Sequence, residues 1–164
     1  MARKWGLLAL VVAALMVAGC AEEPPASQSS ALSGRALSGD FSGSGPGTLL
    51  SANALPTVDL RLKAESSLAA RITYTSTSAV DNSEQTVSGT VFVPRGEAPD
   101  GGWPIIAFGH PTTGTRPECA PSLDPTLLTI APIVTGLVKA GYLVAVSDYQ
   151  GLGVEGTYHP YLEP

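Results

Sequence analysis

Two apolar runs set the kind of fold this chain can adopt. Pro104-Ile-Ile-Ala-Phe108 ends abruptly in Gly109-His110-Pro111, and Tyr142-Leu-Val-Ala-Val-Ser147 ends in Asp148. Both are apolar at successive rather than alternate positions, the pattern of parallel strands covered on both faces. Between them Leu127, Ile130, Val134, Leu137 and Val138 recur at helical spacing, and Gly141 supplies a stop. Proline is tolerated in the first turn of a helix and not in its interior, so Pro132 shifts the predicted helix to 130–140. Strands are predicted over 103–108 and 142–147. Strand, loop, helix and strand make the repeating unit of an α/β sheet, whose functional loops gather at the carboxyl ends of the strands.

Upstream, Ala70, Ile72 and Tyr74 alternate within a β-rich stretch, predicting a strand over 70–77. Thr86-Val-Ser-Gly-Thr-Val-Phe-Val93 predicts a second, ended by Pro94, which has no N–H for a ladder. Asp81-Asn-Ser between them is turn chemistry, so the two are expected to form a hairpin. The predicted order is strand, strand, strand, helix, strand, in one domain over 58–164.

The N-terminus reads as an export address. Arg3 and Lys4 precede the apolar stretch Trp5–Ala18, which is too short to span a bilayer, and Val17-Ala-Gly19 offers a small-residue cleavage site. Cys20 follows directly, and Val-Ala-Gly-Cys resembles the bacterial lipobox. That resemblance implies a signal peptide over 1–19, lipid attachment at Cys20 and anchoring to a membrane of the cell envelope. An ordinary secretory signal and an uncleaved anchor are the alternatives. Residues 20–57, dominated by Ala, Ser, Gly and Pro without periodicity, are expected to be a flexible tether.

A formal net charge of −5 and a pI near 4.9 argue against binding nucleic acid, which needs cations for phosphates. Neither a metal-ligand cluster nor a dinucleotide fingerprint occurs, so no cofactor is implied.

The remaining motifs carry a resemblance. His110-Pro-Thr-Thr-Gly114, Cys119-Ala-Pro-Ser122, Asp148-Tyr-Gln-Gly-Leu-Gly153 and His159-Pro-Tyr-Leu162 follow one another in order. Together they resemble the bacterial secretory lipase family of α/β-hydrolases. The resemblance implies an α/β class, with this chain forming the N-terminal part of the fold, strands 1–4 and the first helix, and the strand at 103–108 lying centrally in the sheet. It also implies that the loop after that strand supplies a backbone donor of an oxyanion hole. The family pattern has Gly after the His where this chain has Pro111, which has no N–H. The donor candidates are therefore Thr112 and Thr113, Thr112 being favoured by position, with His110 and Gly114 shaping the loop. On the residues alone, a plain turn without an electrostatic task is equally available.

Gly-x-Ser-x-Gly, the nucleophile elbow of this superfamily, is absent from the sequence. The two histidines precede any position where the family's order Ser, acid, His would put the base. The chain is thus expected to be a part of an exported lipase or carboxylesterase that ends before its triad and is inactive alone. An ester or lipid would be the substrate of the whole. Asp148 reads as a structural turn residue and His159 as a packing residue. Cys119 is left as a single thiol if Cys20 is lipidated. The resemblance to fungal lipases carrying Cys-Ala-Pro-Ser implies a bridge to a downstream cysteine, while a buried free thiol and a Cys nucleophile are the alternatives. The competing functional reading is a non-catalytic surface lipoprotein that uses half of a hydrolase sheet for binding or structure.

Overall fold

A computed structural model describes residues 34–161. The expected signal peptide and the lipid-attachment residue Cys20 lie outside the described residues. Seven regular elements follow in order: β1 (Leu49–Ala54), α1 (Leu60–Glu65), β2 (Ser66–Thr77), β3 (Glu84–Pro94), β4 (Ile105–Phe108), α2 (Ala131–Lys139) and β5 (Leu143–Ser147). Two short 3-10 turns, Pro117–Cys119 and Pro121–Leu123, lie between β4 and α2.

The strands form one mixed sheet in the order β1-β2-β3-β5-β4. Strands β2 and β3 make the expected hairpin, running from Thr77 opposite Glu84 down to Ser66 opposite Pro94. Its turn is closed by Asp81, whose carboxylate accepts from the N–H and hydroxyl of Ser83. Strand β5 pairs antiparallel to β3, with Phe92 opposite Val144, and parallel to β4, with Ala107 opposite Ala145. Gly89 lets β3 approach β5: a Cβ there would collide with the carbonyl of Val146.

The strand expected to be central, 103–108, is β4 and stands at an edge of the described sheet, paired only with β5. It begins later than predicted because Pro104 contributes a carbonyl, accepting from Leu143 N–H, but has no N–H of its own. Its apolar residues are not covered on both faces, since Ile105 is 70% exposed.

The expectation of a structureless tether over 20–57 fails in its second half. Leu49–Ala54 is strand β1, antiparallel to β2 with Ala52 opposite Ile72 and Ala54 opposite Ala70. The segment before it is bound as well: Leu37 N–H donates to Ala52 O and Ala54 N–H to Arg35 O. Strand β1 has little alternation because it is specified by the open edge of β2, whose ladder it completes, more than by its own side chains.

Helix α1 is not among the elements that the sequence predicts. Asp59 caps it by accepting from Arg61 N–H at 2.9 Å and Leu62 N–H at 3.1 Å, and Leu62 is fully buried beneath it. Six residues are too few to display helical periodicity. Helix α2 runs over nine residues with Pro132 in its first turn, as the proline required. The core lies between the two helices and one sheet face, around Leu62, Phe92, Val134, Val138, Val144 and Val146. No helix among the described residues is long and apolar enough to cross a membrane.

Candidate active site around the β4 and β5 loops

The chain leaves β4 and β5 at the same end of the sheet, and the loops that follow are folded against each other. Asp148 is the tie. Its side chain is completely buried, accepting the Ser88 hydroxyl at 2.6 Å and the Ser122 N–H at 2.9 Å. Arg71 on β2 completes the cluster, donating from Nε to the Ser122 hydroxyl at 2.9 Å and from Nη2 to the Gly153 carbonyl at 2.6 Å. Burial pushes the Arg71 guanidinium below its ordinary value, and the charge of Asp148 opposes that shift. Gly153 has φ +72°, and a Cβ there would strike the Ser88 hydroxyl and approach Asp148 Oδ2 at 2.9 Å. The Cys-Ala-Pro-Ser and Asp-to-Gly segments are thereby held to β2 and β3 by one buried polar network.

Above this network lies the loop from Gly109 to Gly114. His110 is buried, its Nδ1 2.7 Å from the Pro111 carbonyl and its Nε2 3.4 Å from the Asp148 carbonyl. Gly114 has φ +136°, and the place a side chain would take is filled by Cys119. The sulfur of this free thiol therefore braces the loop from behind. Thr112 Oγ1 accepts from the Tyr161 phenol at 3.2 Å, while Thr113 Oγ1 is buried without a partner. Among the described residues, the N–H groups of Thr112, Thr113 and Gly114 have no acceptor. The N–H groups of Thr115 and Arg116 extend this run, and successive free donors in one loop are the raw material of an anion-binding concavity.

The four loop residues singled out by the sequence come together here. His110, Thr112, Thr113 and Gly114 line a cavity of about 500 Å³, together with Tyr149 and Tyr161. Among the described residues, no Asp, Glu, Lys or Arg side chain lines it. His159 lies at the rim, with Nδ1 2.8 Å from the Gln150 carbonyl and its ring edge-on to Tyr161. Among the described residues neither imidazole is hydrogen-bonded to a serine hydroxyl or a carboxylate. Sequence reasoning missed Arg71, Ser88 and the placement of Tyr149. Arg71 sits on β2 among apolar and hydroxyl residues, and a charge there was the available signal.

The mixed sheet, its parallel β4-α2-β5 unit and this loop cluster define an α/β-hydrolase-like fold. The chain matches no protein-family model and no curated protein. It is similar to solved structures of the rice cell wall degrading esterase LipA from Xanthomonas oryzae. A point mutant of that esterase matches at 31% identity and a TM-score of 0.54, covering 73% of this chain and 34% of the esterase. The esterase without the mutation gives 31% identity and 0.53 over 73% of this chain and 33% of the other. A ligand-bound form gives 28% identity and 0.52 over 73% and 34%. The chain thus spans about a third of the length of the esterases it matches.

Proposed function

We propose that this chain supplies the oxyanion-binding part of an exported serine hydrolase acting on neutral carboxylic esters. The observation that carries the reading is the run of unpartnered N–H groups from Thr112 to Gly114 beside a cavity of about 500 Å³. In ester hydrolysis a serine oxygen adds to the carbonyl carbon, the carbonyl oxygen becomes an oxyanion, and collapse expels the alcohol. The water-borne second half regenerates the serine. A histidine moves the proton in both halves, and donors aimed at the oxyanion lower both barriers. Thr112 N–H, seconded by Thr113 N–H, takes the donor role here. Gly-x-Ser-x-Gly does not occur in the sequence, and in this reading the elbow serine and its base are supplied by the rest of the protein. Export and membrane attachment through Cys20 are part of the same proposal and rest on the N-terminal sequence.

The described part of the cavity wall carries no charged side chain, which narrows the substrate. A carboxylate brought into it would lose hydration without gaining a cationic partner. The complete gene product should therefore be labelled by a fluorophosphonate probe and should hydrolyse p-nitrophenyl butyrate with kcat/KM at least about tenfold above p-nitrophenyl hemisuccinate, a difference of about 1.4 kcal/mol. Absence of both labelling and hydrolysis would support the non-catalytic lipoprotein instead. Equal rates on the two esters would refute the neutral-substrate reading alone.

A further inference from the structure

The direction of one N–H group in this loop is set by two aromatic side chains. Pro111 C=O and Thr112 N–H belong to the same peptide unit, which is planar and trans, so fixing the carbonyl fixes the N–H to point the opposite way. The carbonyl is fixed by His110, whose Nδ1 lies 2.7 Å away. A carbonyl only accepts, so Nδ1 must carry the hydrogen of that bond. The imidazole is itself immobilised. It stacks on Tyr149 with ring centroids 4.2 Å apart and planes 22° from parallel. The Tyr149 phenol donates to the His110 carbonyl at 3.0 Å, clamping the residue from both its ring and its backbone.

Two features show that the tyrosine is accommodated at a cost. Tyr149 has φ +68°, a left-handed conformation that side-chain-bearing residues other than Asn and Asp adopt only under strain. Gly109 leaves room for the phenol, because a Cβ there would stand 2.8 Å from its oxygen. From this geometry we infer that His110 and Tyr149 are positioning residues, which lock the Pro111–Thr112 peptide so that Thr112 N–H is preorganised as the oxyanion donor. The inference rests on the ester-hydrolase reading above and adds to it the device that replaces the family's glycine.

The test uses the complete gene product and a neutral p-nitrophenyl ester. His110→Leu removes the Nδ1 donor, His110→Asn retains an N–H near the same place, and Tyr149→Phe retains the stack but loses the phenol. His110→Leu should lower kcat by about 10²–10³-fold, the loss seen when an oxyanion donor is removed, with KM within about twofold. His110→Asn should recover at least about tenfold of that loss, and Tyr149→Phe should lower kcat by about fivefold, as one neutral hydrogen bond would. In wild type, two-bond proton–nitrogen correlations of the His110 ring should show hydrogen on Nδ1. A purely structural role would instead shift the melting temperature of all three variants, leave kcat of the folded fraction unchanged and give Asn no advantage over Leu; that result, or a ring carrying its hydrogen on Nε2 alone, overturns the inference. Should His110→Leu fail to fold, the Tyr149→Phe kinetics and the tautomer decide between the same two outcomes. A wild type without ester activity would refute the hydrolase reading, and the tautomer would then report on the clamp geometry separately.

Discussion

Asp148→Ala is expected to destabilise the protein by about 3–5 kcal/mol, a large fraction of the stability of an ordinary domain. Three losses combine. The Ser88 hydroxyl and the Ser122 N–H each lose a charged acceptor in a fully buried position, where hydrogen bonds to ionised groups are worth about 1.5–3 kcal/mol each. The half-buried Arg71 guanidinium is then left without the opposing charge that supports it. Asp148→Asn is the graded comparison. Its carbonyl can still accept from Ser122 N–H and its amide can donate to Ser88, so about 1–3 kcal/mol is expected from loss of charge alone. Urea denaturation midpoints of the complete gene product, with unchanged m-values, would measure both. A loss under about 1 kcal/mol for the alanine variant would show that the network is not what holds the loops to the sheet.

Residues 34–161 produced alone should fail to give a cooperative monomer. Strand β4 pairs on one side only, and its other side presents a row of backbone donors and acceptors beside Ile105, which is 70% exposed. The same sheet face continues through Ala107, Leu143 and Ala145, cross-strand neighbours in the β4–β5 ladder. Exposed, apolar, unpaired edges template further strands, so aggregation or a dye-binding molten state is expected. Size-exclusion elution and thermal unfolding followed by near-ultraviolet circular dichroism would check it. A monomer with a sharp two-state melt would show that the described elements bury enough surface by themselves.

What the sequence made legible was what the chain encodes locally. The apolar runs ending at Phe108 and Ser147, the alternation from Ala70 and the proline-bounded helix each correspond to β4, β5, β2 and α2. The His-Pro-Thr-Thr-Gly loop was placed at the end of a strand, where it is found. Features that depend on partners distant in the chain stayed hidden. Strand β1 exists because β2 offers it a ladder. Asp148, expected to bond backbone within its own turn, reaches instead to Ser88 and Ser122, 60 and 26 residues away. The approach to α2 is another such case. Leu127, Leu128 and Thr129 take left-handed φ values of 53°, 50° and 84°, against their intrinsic preference. The burial of Leu127 in the core and the Asp124 carboxylate, which accepts from Thr126 and Leu128 N–H, hold them there. Helical spacing alone carried no sign of it.

The most direct measurement of the central claim is a structure of the complete gene product bearing a covalent phosphonate at its nucleophile. The phosphonyl oxygen stands in for the oxyanion, and it should lie about 2.7–3.1 Å from Thr112 N, with Thr113 N on the same side and the His110 Nδ1 bond to Pro111 intact. A phosphonyl oxygen bound by other groups, with the N–H groups of Thr112 and Thr113 both facing away from it, would contradict the account.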